Sequence, residues 1–340
     1  MRSSVPELVI PSRTISPGTL VTARSFLIDR VLPDCEIVAL PEKEMKSGVL
    51  TWEVGPIVVR PERENRLKKL ISIPQVDHAP KGRWLFDMRP NSPSNWAHFL
   101  NNYLPMFFAV AHEAGLDPVE ALLVLPKDIP SYILEAARLF GLEPYLSDAV
   151  IEGHGVSYSV EPWGALRSGR KDWMDLPGPK AVLAAILAEP PTVPLPKKVF
   201  LTRDKTRTLL NFRELEPVLV ARGFETVLPE SLSPADQIRL FLGAEEMVAI
   251  HGAGLAPLLF CTPEQGPKRL IEILPCGHMT NVYRAIAEHT GCRWIGVRGR
   301  LKPEYVAPAY QLDKTFVQYS LDSFEVDPVS LERAFEMTDV

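Results

Sequence analysis

A glycine-rich turn in the last third of the chain has the composition of an anion-binding site. The turn is His251-Gly252-Ala253-Gly254, and it joins the apolar run Met247–Ile250 to a helix-like segment that opens at Leu255. The first N–H groups of a helix have no partner within the helix, and the helix dipole favours negative charge there. Because glycine lets the backbone approach a ligand closely, residues 252–255 are predicted to bind a phosphate.

A basic loop supplies the second set of candidate groups, with the sequence Arg203-Asp204-Lys205-Thr206-Arg207. Arg203 and Arg207 can each form forked hydrogen bonds to phosphate oxygens, and Lys205 adds a point charge. A solvated surface loop is the alternative interpretation. His251 also has two interpretations, as a turn residue satisfied by a backbone carbonyl or as a hydrogen-bond donor to the bound phosphate.

A polar stripe on a predicted helix is the third candidate. Asn95, His98 and Asn102 are spaced i, i+3 and i+7, so they share one helix face. Such a stripe is unusual in an otherwise apolar helix, since a buried polar group without partners is costly. Either the polar groups pair with one another at a contact between domains, or His98 acts as a general base in a cleft.

Motifs that the sequence lacks narrow the chemistry further. It has no GxxxxGK[ST], which argues against a P-loop NTPase, and no GxSxG, which argues against a serine esterase. The dinucleotide fingerprint GxGxxG is missing, and no two aspartates are two positions apart, so a DxD motif for a metal-bound nucleotide is missing too. The four cysteines contain no CxxC pair. We therefore predict no metal site.

The composition is that of a soluble globular protein. The 340 residues are 46% hydrophobic and 23% charged, and they are enough for two ordinary domains. A net charge of -5 argues against a nucleic-acid partner. Residues 1–10 lack the apolar core of a signal peptide, and no apolar run reaches the roughly 18 residues of a membrane span. We expect a cytoplasmic protein, and peripheral association with the inner face of the membrane stays open.

Short apolar strands alternate with predicted helices, which indicates an α/β fold with parallel sheets. The second half is the more regular, with strands predicted at Val199–Thr202, Phe224–Leu228, Met247–Ile250, Arg269–Leu274 and Arg293–Val297. Ligands of a doubly wound sheet bind outside the carboxyl ends of the strands, near the switch in strand order. The basic loop, the glycine turn and the segment Glu272–His278 are therefore expected at one edge.

A proline-rich run marks the predicted domain boundary. Residues 1–188 are predicted to form an N-terminal α/β domain, and residues 189–198 a stiff, extended linker. Residues 199–305 are predicted to form a C-terminal Rossmann-like domain. The remaining tail, 306–340, ends in a predicted helix that we expect to pack back on the first domain.

Taken together, these segments resemble glycosyltransferase family 61. Those that carry the resemblance are Asn95–Pro105, Leu201–Arg207 with Asn211 and Glu214, Leu232–Gln237, His251–Leu255 with Phe260, and Leu270–Pro275. They span roughly residues 90–280. The departures are Ala256 and Pro257, where relatives tend to carry small polar residues, and the first 80 residues, which align to nothing.

The resemblance implies a GT-B-like architecture, in which two Rossmann-like doubly wound domains face a cleft. It implies inverting transfer from a nucleotide sugar, expected to be a UDP-sugar, to a saccharide acceptor in surface or capsular polysaccharide synthesis. No cofactor and no obligatory metal are implied. Two alternatives stay open, a non-catalytic nucleotide-sugar-binding protein and a GT-B-type nucleotide-sugar epimerase.

On this interpretation the candidate residues fall into three groups. The catalytic candidates are His98 and His251. The donor-binding candidates are Arg203, Lys205, Arg207, Asn211, Gly252, Ala253, Gly254, Leu255 and Glu272. Within that group, Glu272 is expected to bind the ribose and Asn211 to orient the basic loop. Asn95 and Asn102 are expected on the acceptor side, in the N-terminal domain.

Overall fold

The described residues of the computed structural model form two compact units. The structure describes residues 5–23, 35–60, 76–90, 92–163, 165, 172–275, 278–300 and 321–337. Those within Met1–Arg13 and Met45–Pro190 belong to the first unit, and those within Thr14–Glu44 and Pro191–Val340 to the second.

Strands and helices are numbered in chain order. The strands of the described residues are β1 Glu7–Ile10, β2 Arg13–Ile15, β3 Gly18–Ala23, β4 Cys35–Leu40, β5 Lys43–Met45, β6 Gly48–Val59, β7 Val76–His78, β8 Trp84–Asp87, β9 Ala121–Leu125, β10 Glu143–Leu146, β11 Val150–Glu161, β12 Lys198–Leu201, β13 Glu225–Val227, β14 Glu246–Ile250, β15 Arg269–Leu274 and β16 Arg293–Arg298. The α-helices are α1 Trp96–His98, α2 Leu104–Ala114, α3 Ser131–Leu139, α4 Pro177–Ala188, α5 Phe212–Val220, α6 Pro234–Gly243, α7 Val282–Thr290 and α8 Pro328–Glu336. A π-helical turn, Phe99–Tyr103, joins α1 to α2, and 3-10 segments lie at Pro118–Glu120, Asp172–Asp175, Pro229–Ser231 and Ala253–Phe260.

The second unit contains the parallel sheet that the alternating pattern predicts. Its strand order is β13-β12-β14-β15-β16-β3-β4, in which every neighbouring pair is parallel except β3 with β4. Leu219 of α5 and Phe335 of α8 join the core on one face of this sheet. The 3-10 segment Ala253–Phe260 packs against α6 and α7. The chain passes from β12 to β13 on one side and returns to β14 on the other, so the strand order switches between β12 and β14.

The first unit has a different sheet from the one predicted. Its order is β1-β6-β11-β8-β9-β10, with β7 also beside β11. The parallel pairs are β8 with β9, β9 with β10, β8 with β11 and β7 with β11. The sheet is mixed because β6 is antiparallel to both β1 and β11. The expectation of a doubly wound parallel sheet therefore does not describe this unit. The long β6–β11 pairing joins residues 49–59 to residues 151–161, two segments that are far apart in the sequence.

The division into units also differs from the boundaries drawn from the sequence. Residues 14–44 belong to the second unit, since β3 pairs with β16 and buries Leu20 and Val21. Within the predicted linker, the second unit resumes at Pro191. The Thr192 N–H and hydroxyl attach this segment to that unit, since both donate to the Asp236 carboxylate of α6.

The C-terminal helix α8 packs within the second unit. It contacts α5, β3 and β16, and it buries Leu331 and Phe335. These apolar side chains complete the core over one face of the sheet. Residues 306–320 and 338–340 of the predicted tail lie outside the described residues.

The predicted helix that bears the polar stripe is confirmed, with an irregularity near its start. The Asn95 side chain caps it by accepting from the N–H groups of Ala97 and His98, and Gly115 ends it in the left-handed region at a φ of 64°. The π-helical turn Phe99–Tyr103 lies between these ends. None of the helices in the described part of the chain combines the length and apolar character needed to span a bilayer.

Candidate functional site

The predicted phosphate-binding groups meet at the carboxyl edge of the second unit's sheet. Strands β12 and β14 are parallel neighbours, so the loops that follow them lie side by side at the switch in strand order. Arg203 follows β12 and Gly252 follows β14. A Cβ built on Gly252 would lie only 1.7 Å from Arg203 Nη1. The Arg203 guanidinium therefore lies directly on the glycine backbone.

Internal hydrogen bonds fold the basic loop. Arg203 donates from Nε to the Thr206 carbonyl at 2.9 Å and from Nη2 to the Thr206 hydroxyl at 2.8 Å. Arg207, at a φ of 56°, donates from Nη1 to the His251 carbonyl at 3.3 Å. Both arginines are thus held near the glycine turn, whereas Lys205 is exposed.

Like charge accumulates in this part of the site. The pKa of Arg207 is lowered to about 10, first by burial and then by the neighbouring Arg203 cation, while Tyr283 opposes the shift. Arg207 remains charged near neutral pH despite this cost. A bound anion would lower the repulsion between the two guanidinium groups.

The glycine turn leads into a 3-10 helix rather than the predicted α-helix. This helix spans Ala253–Phe260, with Gly252 at its N-cap position and the Leu255 N–H donating to the Gly252 carbonyl at 3.1 Å. Ala253 and Gly254 are partly exposed, and Leu255 is buried. The N–H groups of Ala253 and Gly254 are therefore the most accessible ones of this turn.

His251 is held by a buried carboxylate. Its Nδ1 lies 2.5 Å from Glu272 Oε1, and the Trp294 indole Nε1 donates to Glu272 Oε2 at 2.6 Å. Glu272 is fully buried and His251 is 4% exposed. With both oxygens engaged inside the core, Glu272 is poorly placed for the predicted contact with a ribose. It instead fixes the orientation of the His251 ring.

Small residues make room for this buried group. In the sheet register, Glu272 of β15 lies opposite Ala249 on one side and Gly296 on the other. A Cβ on Gly296 would lie 2.7 Å from the Trp294 ring. The absence of a side chain at Gly296 therefore lets the indole fold across the strand toward Glu272.

His278 extends the site on the segment that follows β15. Its ring centroid lies 5.1 Å from that of His251, and the Tyr283 ring lies 5.6 Å from His251. Burial lowers the pKa of His278 to about 4, and the charges of Arg207 and His251 add to the effect. His278 is therefore neutral at neutral pH.

Asn211 does not have the role predicted for it. Its Nδ2 donates to the Val326 carbonyl at 2.7 Å and to Glu214 Oε2 at 3.1 Å, and its Oδ1 accepts from the Val326 N–H at 3.1 Å. These contacts anchor the segment that leads into α8. The amide does not orient the basic loop, because its polar atoms face that segment.

The polar helix of the first unit is divided by burial. Asn95 is exposed, His98 is half-buried and Asn102 is fully buried. With its amide oriented to suit both neighbours, Asn102 accepts from the Trp163 indole at 3.2 Å and donates to the Asn101 carbonyl at 3.1 Å. The three residues therefore have different surroundings, and Asn102 holds the indole of Trp163.

Three residues of the second-unit site were not among the candidates. His278 lies in a segment that the strand-order rule had selected, so its position could have been predicted. Tyr283 and Trp294 lie in a helix and an apolar strand, where nothing in the local sequence marks them.

A family model, described as Glycosyltransferase 61, matches residues 96–266, which is half of the chain. The chain belongs to the glycosyltransferase 61 family. The matched range of this glycosyltransferase includes His98, Arg203, Arg207 and His251, while Glu272 and His278 follow it. No curated protein shows significant similarity to the sequence.

A substitution at Gly252 tests whether the Arg203 contact matters. Alanine can adopt the extended backbone found there, so the main expected effect of Gly252→Ala is displacement of the Arg203 guanidinium. Loss of one charge-assisted hydrogen bond should weaken the binding of inorganic pyrophosphate, the probe for an anion at this site, by about tenfold, measured by titration calorimetry. Gly243→Ala is the matched control, because a Cβ there meets nothing within 4 Å. Equal affinities in the two variants would contradict this expectation.

The lowered pKa of His278 makes stability depend on pH. Between pH values of about 6.5 and 4, the unfolded chain binds a proton at His278 that the folded chain does not. The contribution of neutral His278 to the free energy of unfolding is fully present above pH 6.5, and it is lost as the pH falls from about 6.5 to about 4. Urea unfolding at pH 7 and at pH 4.5 should show a smaller loss of unfolding free energy for His278→Gln than for the wild type. The exposed His154 of the first unit provides the control substitution.

Proposed function

We propose that this glycosyltransferase transfers a sugar from a nucleotide-sugar donor to a saccharide acceptor, with inversion at the anomeric carbon and without a metal ion. The observation that carries the proposal is the pair of guanidinium groups at the switch in strand order, with Arg203 held against the Gly252 backbone and Arg207 bonded to the His251 carbonyl. Two cations with adjacent backbone N–H groups suit a diphosphate.

The cationic groups would stabilise the leaving diphosphate. As the bond between the anomeric carbon and the phosphate oxygen breaks, its electron pair remains on the diphosphate, whose charge increases. The charged side chains of Arg203, Lys205 and Arg207 and the N–H groups of Ala253 and Gly254 would stabilise that charge. Fixed arginines can supply this stabilisation in place of a metal ion, which accords with a sequence that lacks DxD. We propose a UDP-sugar as the donor.

His251 would act on the same leaving group. Because its Nδ1 faces Glu272, Nε2 is the ring nitrogen left for the substrate. We propose that the ring carries a proton on both nitrogens in the complex, so that Nδ1–H donates to Glu272 and Nε2–H donates to a diphosphate oxygen as the bond breaks. Glu272 then serves as a positioning residue, since it holds the ring and does not touch the substrate.

His98 of the first unit is the proposed base on the acceptor side. It would accept the proton of the acceptor hydroxyl as that oxygen attacks the anomeric carbon, and a single displacement of this kind inverts the configuration. Asn95 and Asn102 would support the acceptor from the same helix. We propose surface or capsular polysaccharide synthesis on the cytoplasmic side of the membrane as the context.

Nucleotide binding tests the donor assignment. In a thermal-shift screen of UDP-, GDP-, CMP- and dTDP-sugars, the UDP-sugars should raise the Tm most, because ligands of the folded state stabilise it by mass action. Arg207→Ala should lower the affinity for UDP by about tenfold or more. Arg213→Ala, an exposed arginine on α5, is the matched control. If Arg207→Ala bound UDP with unchanged affinity, Arg207 would be removed from the site.

A substitution at Glu272 tests the positioning role. Glu272→Gln keeps the shape but presents an amide donor to one of the two groups that now donate to the carboxylate. We expect kcat to fall by about 100-fold with little change in UDP affinity, and the pH dependence of kcat to shift. Trp294→Phe, which removes only the indole donor, should lower kcat by no more than about threefold. A normal pH profile and normal kcat for Glu272→Gln would disprove the role.

The base assignment is tested on the other unit. His98→Ala should lower kcat by about 100-fold or more while the affinity for UDP stays normal, since general-base catalysis contributes an effect of this size. Steady-state turnover and calorimetry measure the two quantities on the same preparation. Full turnover with normal donor binding would exclude His98 as the base.

A further inference from the structure

A cavity of about 540 Å³ lies at the edge of β11 in the first unit. Strand β8 ends at Asp87, and its last registered pair with β11 is Phe86 with Val156. Strand β11 continues to Glu161 and remains paired with β6 along its other edge. Among the described residues, no strand is registered against the β8-facing edge of residues 157–161. Backbone donors and acceptors of this edge therefore border the cavity.

The cavity has polar, uncharged or acidic walls. Its polar lining comprises Asp87, Ser157, Tyr158, Ser159, Glu161 and Trp163. Among the lining residues that belong to the described part of the chain there is no lysine, arginine or histidine. A nucleotide diphosphate would be repelled by this set of groups, whereas a neutral ligand with many hydroxyls can donate to carboxylates and accept from hydroxyls.

Trp163 is held in place at one wall. Its indole nitrogen donates to Asn102 at 3.2 Å, and its ring packs edge-on against Tyr103 with centroids 5.6 Å apart. Asn102 and Tyr103 are both fully buried. Two rigid neighbours therefore set the orientation of a half-buried indole before a ligand arrives, which lowers the entropic cost of binding.

Asp87 and Tyr158, which also line the cavity, are held in place as well. The Asp87 carboxylate accepts from the Arg89 guanidinium at 2.9 and 3.1 Å, and the Tyr158 hydroxyl donates to the Asp87 carbonyl at 2.5 Å. Arg89 is 7% exposed and neutralises the charge of Asp87 within the wall. The remaining acceptor capacity of Asp87 is available to hydroxyl donors.

We propose that this cavity binds a saccharide, with a pyranose ring stacked on Trp163 and its hydroxyls bonded to Asp87, Ser159 and the free edge of β11. The proposal rests on the sugar transfer proposed above and makes the cavity a subsite for the acceptor. It also gives Asn102 a defined task, which is to position the indole that stacks on the sugar.

The test uses the full-length protein and the methyl glycosides of glucose, galactose, mannose, xylose and N-acetylglucosamine as probes. Saturation-transfer NMR should detect binding of at least one glycoside to the wild type. Trp163→Ala should weaken that binding by about tenfold, and Trp163→Phe should largely retain it because a ring remains for stacking. UDP affinity should be unchanged in both variants.

A second variant guards against misfolding of the first. Ser159→Trp fills the cavity from an exposed position and should abolish glycoside binding, whereas Glu152→Trp places the same side chain at an exposed position of β11 away from the lining. If no glycoside bound the wild type, or if both Trp163→Ala and Ser159→Trp bound it normally, the cavity assignment would be overturned. Failure of the donor assignment would show separately, as a lack of UDP binding in a protein that still binds glycosides.

Discussion

The carboxylate of Glu272, buried among three strands, is the group around which the second unit's site is arranged. A buried charge is costly unless it is paired and hydrogen-bonded, and the penalty is on the order of several kcal/mol per ion. Two donors meet the requirement here, the ring of His251 and the indole of Trp294. The hydrogen bond to Glu272 also fixes the ring of His251, and the backbone carbonyl of His251 accepts from Arg207. The contacts that stabilise the buried carboxylate therefore also set the geometry of the site.

The cations around the glycine turn repel one another, and this repulsion is a second constraint on the site. Burial lowers the pKa values of Arg207 and His278 most, and neighbouring charges lower them further, those of Arg203 on Arg207 and of Arg207 and His251 on His278. Part of each shift therefore reflects repulsion among groups that the fold holds together. A preorganised cluster of like charge costs stability in the free protein, and it binds an anion strongly because no further rearrangement is needed. Sugar transfer by a member of this family, with a diphosphate as leaving group, would use that property.

The two units contrast in chemistry. The carboxyl edge of the second sheet presents cations to a ligand, whereas the cavity of the first unit presents carboxylates, hydroxyls and an indole, with its Asp87 neutralised by Arg89. On the function proposed above, the cationic edge of the second unit would take the diphosphate of the donor, and the cavity of the first unit would take a neutral saccharide.

The sequence by itself determined the local features of this protein. The alternation of strands and helices and the placement of the basic loop beside the glycine turn both follow from short-range patterns, because hydrogen bonding within a helix and strand succession along the chain are local. The family followed from the same motifs. The order of strands then brings Arg203 onto Gly252, as the switch rule predicts.

Only the tertiary structure decided the partners that are distant in sequence. Glu272 meets His251 and Trp294 across neighbouring strands, at separations of 21 and 22 residues, and no local pattern distinguishes this role from a ribose contact. Asn211 meets Val326 across 115 residues. Strand β3 joins β16 from the other end of the chain, and β6 pairs with β11 to make the first sheet mixed. Such contacts depend on which buried surfaces fit together, and that choice is made by packing in three dimensions, not by the spacing of residues along the chain.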